Sequence, residues 1–297
     1  MTRPLLVAVA MALSACHPGN EKAKELRSAC EGGDVTACNE LAGKLQKGEY
    51  VLRDDARAAV LYDRSCDGGI GDACANLGVV YQSGRGMKRD SVRALDLFRR
   101  GCEAGGLDGC ARLGVLYVRG DGVARDVPRA ATLFQQSCTG GNMIGCANLG
   151  ALHASGEGVT RDVARAAELL RTSCDEEVAV GCLGLGRLHA TGAGVERNDS
   201  IAAAMYAKAC KGREVDGCLA RGTALENGVG VPQNFDRAAN LYHEACDDRS
   251  AEACARLAGM YDRGAGVYRQ PAQAVRFRAR ACSLGHAESC DKLKSTS

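Results

Sequence analysis

"CDGGIGDACANLG" (66–78) carries two cysteines, Cys66 and Cys74, eight positions apart across a run of glycine. The same separation recurs along the chain. Of 17 cysteines, all but Cys16 fall into pairs of this kind: Cys30/Cys38, Cys66/Cys74, Cys102/Cys110, Cys138/Cys146, Cys174/Cys182, Cys210/Cys218, Cys246/Cys254 and Cys282/Cys290. The first member advances by 36 residues each time without a slip. A period between about 20 and 50 residues marks a solenoid, in which one small supersecondary unit is stacked on copies of itself.

Other positions keep the same step. Three residues after the second cysteine stand Leu41, Leu77, Leu113, Leu149, Leu185 and Leu257, with Arg221 the exception. The next residue is Gly78, Gly114, Gly150, Gly186 or Gly222, replaced by Ala42 and Ala258 at the ends. Turns such as "GRGMKRD" (84–90) and "GDGVARD" (120–126) follow, and then an invariant alanine at 58, 94, 130, 166, 202, 238 and 274. In "GDACANLGVVYQSG" (71–84), Ala73, Leu77 and Tyr81 recur at helical spacing, and Gly84 is placed to end the helix. Asp90 is placed to cap a second helix, as are Asp54, Asp126, Asp162, Asn198 and Asn234. In "SVRALDLFRRGC" (91–102), Val92, Leu95 and Phe98, or Ala94, Leu97 and Cys102, line a face. Each unit therefore reads as two antiparallel helices of about 12 residues, too short to stand alone and dependent on neighbours. Gly78 and Ala94 are expected to be small so that helix backbones can approach.

Cysteine to cysteine, the pattern A-x-x-x-L-G-x-x-Y, then G-x-G-V-x-x-D, then A-x-x-L-F/Y resembles the Sel1-like repeat, a relative of the tetratricopeptide repeat. With a cysteine pair in every unit, it is similar to the Helicobacter cysteine-rich proteins, exported Sel1-like solenoids with one disulfide per repeat. The resemblance covers about residues 21–297. It implies an all-α, α/α superhelical solenoid, with residues 22–297 forming seven helix pairs and a half-unit at each end. Two departures are local: "EEVAVG" (176–181) lacks the paired glycines, and Arg221 stands where leucine is expected.

The cysteine spacing bears on its own chemistry. On one continuous helix, eight residues at about 1.5 Å each would separate the sulfur-bearing positions by ~12 Å, beyond the ~7 Å Cα limit of a disulfide. The chain must therefore reverse between them if they are bonded, and glycines stand there to allow it. Zinc sites favour four ligands at shorter spacings, which these pairs and five histidines do not supply. Disulfides joining one unit to the next are expected, and no metal and no cofactor.

The N-terminus reads as an export signal. Arg3 precedes the apolar run "LLVAVAMAL" (5–13), which is too short to span a bilayer. "LSAC" (13–16) resembles a bacterial lipobox, which implies a lipoprotein signal over 1–15, lipidation at Cys16 and a tether over 16–21. Residue 17 is His rather than Asp, which points to the outer membrane, on its periplasmic face or at the cell surface. The oxidising periplasm fits the paired cysteines. Net charge is +2 with no basic block, which argues against nucleic acid. The membrane is expected to be met only through the lipid.

Catalytic constellations are weak. "SCDK" (289–292) matches S-x-x-K, but its partner motifs are absent and Cys290 belongs to a pair. No catalytic residue is assigned. The expected function is a scaffold that binds a protein or peptide on a concave face. Tyr81, Tyr117, His153, His189 and Tyr261, seven residues after the second cysteine of their units, are the candidate contacts. The family resemblance implies one alternative, β-lactam binding or slow hydrolysis.

Overall fold

The computed structural model describes residues 18–294, with side chains from Glu21 onward. The expected signal (1–15) and Cys16 lie outside the described residues. Sixteen helices, and no strand, occupy the described chain. They are α1 (Pro18–Glu31), α2 (Val35–Lys47), α3 (Asp55–Asp67), α4 (Gly71–Ser83), α5 (Ser91–Glu103), α6 (Leu107–Arg119), α7 (Val127–Thr139) and α8 (Met143–Ser155). There follow α9 (Val163–Asp175), α10 (Ala179–Thr191), α11 (Asp199–Lys211), α12 (Val215–Asn227), α13 (Phe235–Asp247), α14 (Ala251–Arg263), α15 (Pro271–Ser283) and α16 (Ala287–Lys294). None is long and apolar enough to cross a membrane. α1 starts at Pro18, so the last residues of the stretch read as a tether are helical. The chain forms two compact units, one ending at Gly145 and the other starting at Cys146.

One repeat shows how the sequence dictates this. α4 ends at Gly84, which holds φ 71°, the left-handed conformation that glycine adopts at no steric cost. The chain then turns, and the N–H of Asp90 donates to the carbonyl of Tyr81 at 3.0 Å. The Asp90 carboxylate accepts from the N–H of Arg93 at 2.9 Å and so starts α5. Asp54, Asp126, Asp162, Asn198 and Asn234 cap their helices in the same way. The buried side of α5 carries Ala94, Leu95, Leu97, Phe98 and Cys102. Val92 does not share it: at 76% exposure it lies on the solvent side, because two residues before Ala94 is roughly 200° around the helix and so on the opposite face.

The small residue at Gly78 has a different cause from the expected backbone approach. A Cβ at Gly78 would lie 2.6 Å from a ring carbon of Phe98, so the glycine is the seat for the aromatic ring of its own repeat's second helix. Gly114 seats Phe134, Gly186 seats Tyr206 and Gly222 seats Tyr242 in the same way. Each ring packs an edge against bare backbone, which lets a chain with only 4% aromatic residues close its core.

The joint between repeats is made by the cysteines. Cys66 stands at the end of α3 and Cys74 in the first turns of α4, and their Cα atoms are 4.6 Å apart. Cys30–Cys38, Cys102–Cys110, Cys174–Cys182, Cys210–Cys218, Cys246–Cys254 and Cys282–Cys290 are bonded alike, at Cα separations of 4.4–4.7 Å. Cys138 and Cys146 are disulfide-bonded as well. Three residues after each first cysteine the backbone turns left-handed: at Gly33, Gly69, Gly105, Gly141 and Gly285, but also at Glu177, Arg213 and Arg249. Even "EEVAVG", without its glycines, keeps the reversal, by holding Glu177 at φ 58°. The residue before the first cysteine of each pair is small. Where it is Ser65 or Ser137, its hydroxyl donates to the carbonyl of Val35 or Leu107, tying the end of the second helix to the start of the first.

Two predictions test this frame. Closing a loop of this size is worth about 2.5 kcal/mol per bridge on the chain-entropy model, and the alanine-rich core has little to replace it. Complete reduction should lower the thermal midpoint by well over ~10 °C by calorimetry, and an unchanged midpoint would refute the role given to the bridges. Second, a Cβ at Gly69 meets nothing within 4 Å, so the cost of adding one is purely conformational. Gly69→Ala should destabilise by about 1 kcal/mol, ~2–4 °C, while Arg213→Gly should shift the midpoint upward. Movement of both in the same direction would contradict the left-handed requirement.

Candidate functional site

The five residues expected to form a binding face are held inside their own repeats. Arg93 lies over the Tyr81 ring at 5.1 Å, and Arg129 over the Tyr117 ring at 4.7 Å. Tyr117 is only 7% exposed. Tyr261 stacks on Phe277 with centroids 5.5 Å apart. His153 donates through Nδ1 to the carbonyl of Thr160 at 3.2 Å, and His189 to that of Glu196 at 3.0 Å. Each of these five side chains thus braces the turn or the second helix of its own repeat. The two imidazoles, each tied to its own turn, are not brought together by any shared contact.

In "SCDK", Ser289 is buried at 4% exposure, and its N–H donates to Nδ1 of His286. The Lys292 amine is 2.7 Å from Glu288, and Cys290 is bonded to Cys282. The motif therefore assembles no activated nucleophile. One group of metal-type ligands is compact: Cys210, Cys218 and Glu244 bring their ligand atoms within 4.8 Å of one another. Both sulfurs are already joined to each other, which removes the thiolates a metal would need.

The surface best built for a ligand lies in the second unit, where the repeat pattern breaks. Elsewhere the leucine of one repeat covers the ring of the repeat before it: Leu77 shares a buried cluster with Tyr62, and Leu257 with Tyr242. At the seam of α11 and α12 that leucine is Arg221. Its guanidinium donates to the carbonyl of Ala203, on α11, at 2.9 Å. Tyr206 is left half-buried, whereas Tyr62, Phe98, Phe134 and Tyr242 are fully buried. The apolar core of the unit divides at this seam into one cluster over 166–209 and another over 218–281.

A groove of about 380 Å³ opens beside it, between α10, α11, α12 and α14. Its base is apolar, with Ala202, Ala203 and Ala224 buried beneath Tyr206, Leu219 and Ala220. Its edges are charged and held by ion pairs. Arg187 reaches Asp216 of the next repeat at 3.0 Å, and Arg256 holds Glu252 at 2.8 Å. Behind that edge Glu226 is deeply set and receives Arg256, Arg263 and the hydroxyl of Tyr242. Burial pushes the Tyr242 phenol up to about 12, so it keeps its proton and donates it to Glu226. Burial pulls the Arg256 guanidinium down, but Tyr242, Glu252 and Glu226 outweigh that and hold it above its ordinary value. The edges are thus fixed charges of both signs flanking an apolar slot. The repeat pattern passes over these residues, because they stand at first-helix positions whose chemistry changes from unit to unit. The one signal in the sequence was Arg221, a cation in a leucine register.

The Sel1 repeat family model matches residues 35–70, 71–106, 107–142, 144–177, 179–213, 215–249 and 251–286. No curated protein matches the chain. Among solved structures, a protective antigen of uropathogenic Escherichia coli displaying an SLR fold is 25% identical with a TM-score of 0.57. That match covers 91% of this chain, which spans 58% of the antigen's length. A Sel1 repeat protein of Oxalobacter formigenes is 23% identical with a TM-score of 0.61, covering 93% of this chain and 80% of the other. Helicobacter pylori cysteine-rich protein B is 28% identical over 46% of this chain and 99% of its own, with a TM-score of 0.37. Seven consecutive matches spanning most of the residues, on paired helices with a disulfide in every repeat, place this chain in the Sel1 repeat family.

Proposed function

We propose that this protein is an exported, lipid-anchored scaffold that takes a peptide segment of a protein partner into the groove of its second unit. Sel1 repeats are protein–protein interaction modules, which sets the class of function. The observation that carries the reading is the groove itself. It is an apolar slot with Tyr206 and Leu219 exposed to it, and its flanking charges are already positioned by ion pairs. Interfaces of this build bury an aliphatic or aromatic anchor and use the charged edge to set register. The segment favoured here carries an aliphatic anchor with charged residues of both signs beside it.

Export is supported from two sides. The leader has a cation at Arg3, an apolar run over 5–13 and "LSAC" ending at Cys16. A disulfide in each repeat belongs to an oxidising compartment, not to one kept reduced by glutathione. With His17 after the lipidated cysteine, the outer membrane is the proposed address, on its periplasmic face or at the cell surface.

Two experiments separate these claims. A photo-crosslinking residue at Asn227, on the groove, should capture one protein partner in intact cells, and the same residue at Asp236, on the following helix outside the groove, should not. The same adduct pattern from both positions, or from neither, would reject the groove. Cys16→Ala should abolish incorporation of an alkyne fatty acid and move the protein out of the membrane fraction. Retained labelling would reject the anchor.

A further inference from the structure

A second cavity of the second unit, about 380 Å³, shares no lining residue with the groove, although Arg221 links the two. It is lined by Arg221, Arg237 and Lys211 together with Ala207, Asn240 and Glu244. Among the described residues, none of these three cations forms an ion pair. Arg221 is the most enclosed, and its one side-chain bond is to the Ala203 carbonyl, a neutral partner. Burial pushes its guanidinium down, and the charge of Arg237 pushes it further the same way. A partly buried cation facing another cation, with no carboxylate paired to it, is a costly arrangement.

The repeat frame shows how the cluster was assembled. The position after the first cysteine is acidic in five units, as Glu31, Asp67, Glu103, Asp175 and Asp247, but here it is Lys211. Arg237 stands in register with Arg93 and Arg129, which rest on Tyr81 and Tyr117. In its own repeat that ring is replaced by Leu225, so Arg237 has no aromatic seat. Ala207, like Ala279, stands where the other repeats carry Asp63, Arg99, Gln135, Arg171 or His243, and leaves the space open. Four independent departures thus meet at one cavity: a cation replacing leucine, a cation replacing an acid, a lost ring and a shortened side chain.

We propose that this cavity is a binding site for a small oxyanion, held by Arg221, Arg237 and Lys211. The shared chemistry is that of a phosphate or carboxylate group, the planar or tetrahedral oxygens that guanidinium forks match with two parallel hydrogen bonds. Asn240 supplies a neutral donor. Glu244, the one carboxylate on the lining, sits beside the Cys210–Cys218 bridge and opposes the ligand. The site does not depend on the groove or on the lipid anchor.

The test uses the full oxidised chain and thermal melts at constant ionic strength, with sodium phosphate, sodium succinate or sodium chloride as the probes. Phosphate or succinate should raise the midpoint by several degrees over chloride, and whichever acts at lower concentration identifies the preferred group. Arg221→Leu should raise the midpoint in chloride, because it restores the leucine of the other repeats, and should erase the anion-dependent rise. Lys211→Asp, which restores the acid of the other units at an exposed position, should cut the apparent affinity at least about tenfold, and Glu244→Gln should increase it. Equal midpoints in all three salts would overturn the proposal. So would an anion-dependent rise that survives in both Arg221→Leu and Lys211→Asp, because a nonspecific salt effect would ignore the cavity.

Discussion

The chain reversal between paired cysteines is the constraint on which everything else depends. Within eight residues the backbone must leave one helix, pass through a left-handed residue and enter the next helix with both sulfurs in bonding range. Helices of 13 residues are marginal in water, and those here are rich in alanine and poor in large apolar side chains. A crosslink at each joint removes much of the chain entropy that such helices could not offset by burial alone. The left-handed turn is strict enough that Glu177, Arg213 and Arg249 adopt it without being glycine.

Between joints, four repeats close on themselves through a ring resting on glycine, at Gly78, Gly114, Gly186 and Gly222. That contact explains two features together, the bare backbone at Gly78 and its equivalents and the aromatic four residues after the invariant alanine. The next repeat then covers the ring with a leucine. Where Arg221 replaces that leucine, Tyr206 is left half-covered, the core divides, and a cavity opens on each side of the seam. The register that packs a leucine elsewhere thus carries a cation here, at a seam with a cavity on each side.

The aromatic and imidazole stripe shows the opposite case. Tyr81, Tyr117, His153, His189 and Tyr261 carry the residue types of a binding face and recur at one register, yet their partners are an arginine, a phenylalanine or a turn carbonyl of the same repeat. The groove edge is lined by residues that change from unit to unit, and the cation cavity by departures from registers that are otherwise leucine or acidic.

The period, the helix pairs, the caps at Asp90 and its equivalents, the glycine stops and the local pairing of the cysteines are legible in the residues alone. All of these are short-range, set by backbone conformation and by side chains a few residues apart. The sequence also marked Arg221 as an exception, but not what the exception does. That Gly78 yields to a ring and not to a backbone, that Val92 faces solvent, and that Arg221, Arg237 and Lys211 share a cavity emerges from the packing of helices against one another. Those outcomes depend on which side chains from different helices meet, and a periodic pattern fixes the rotation of each helix only to within a face, not the atoms that face it across the seam.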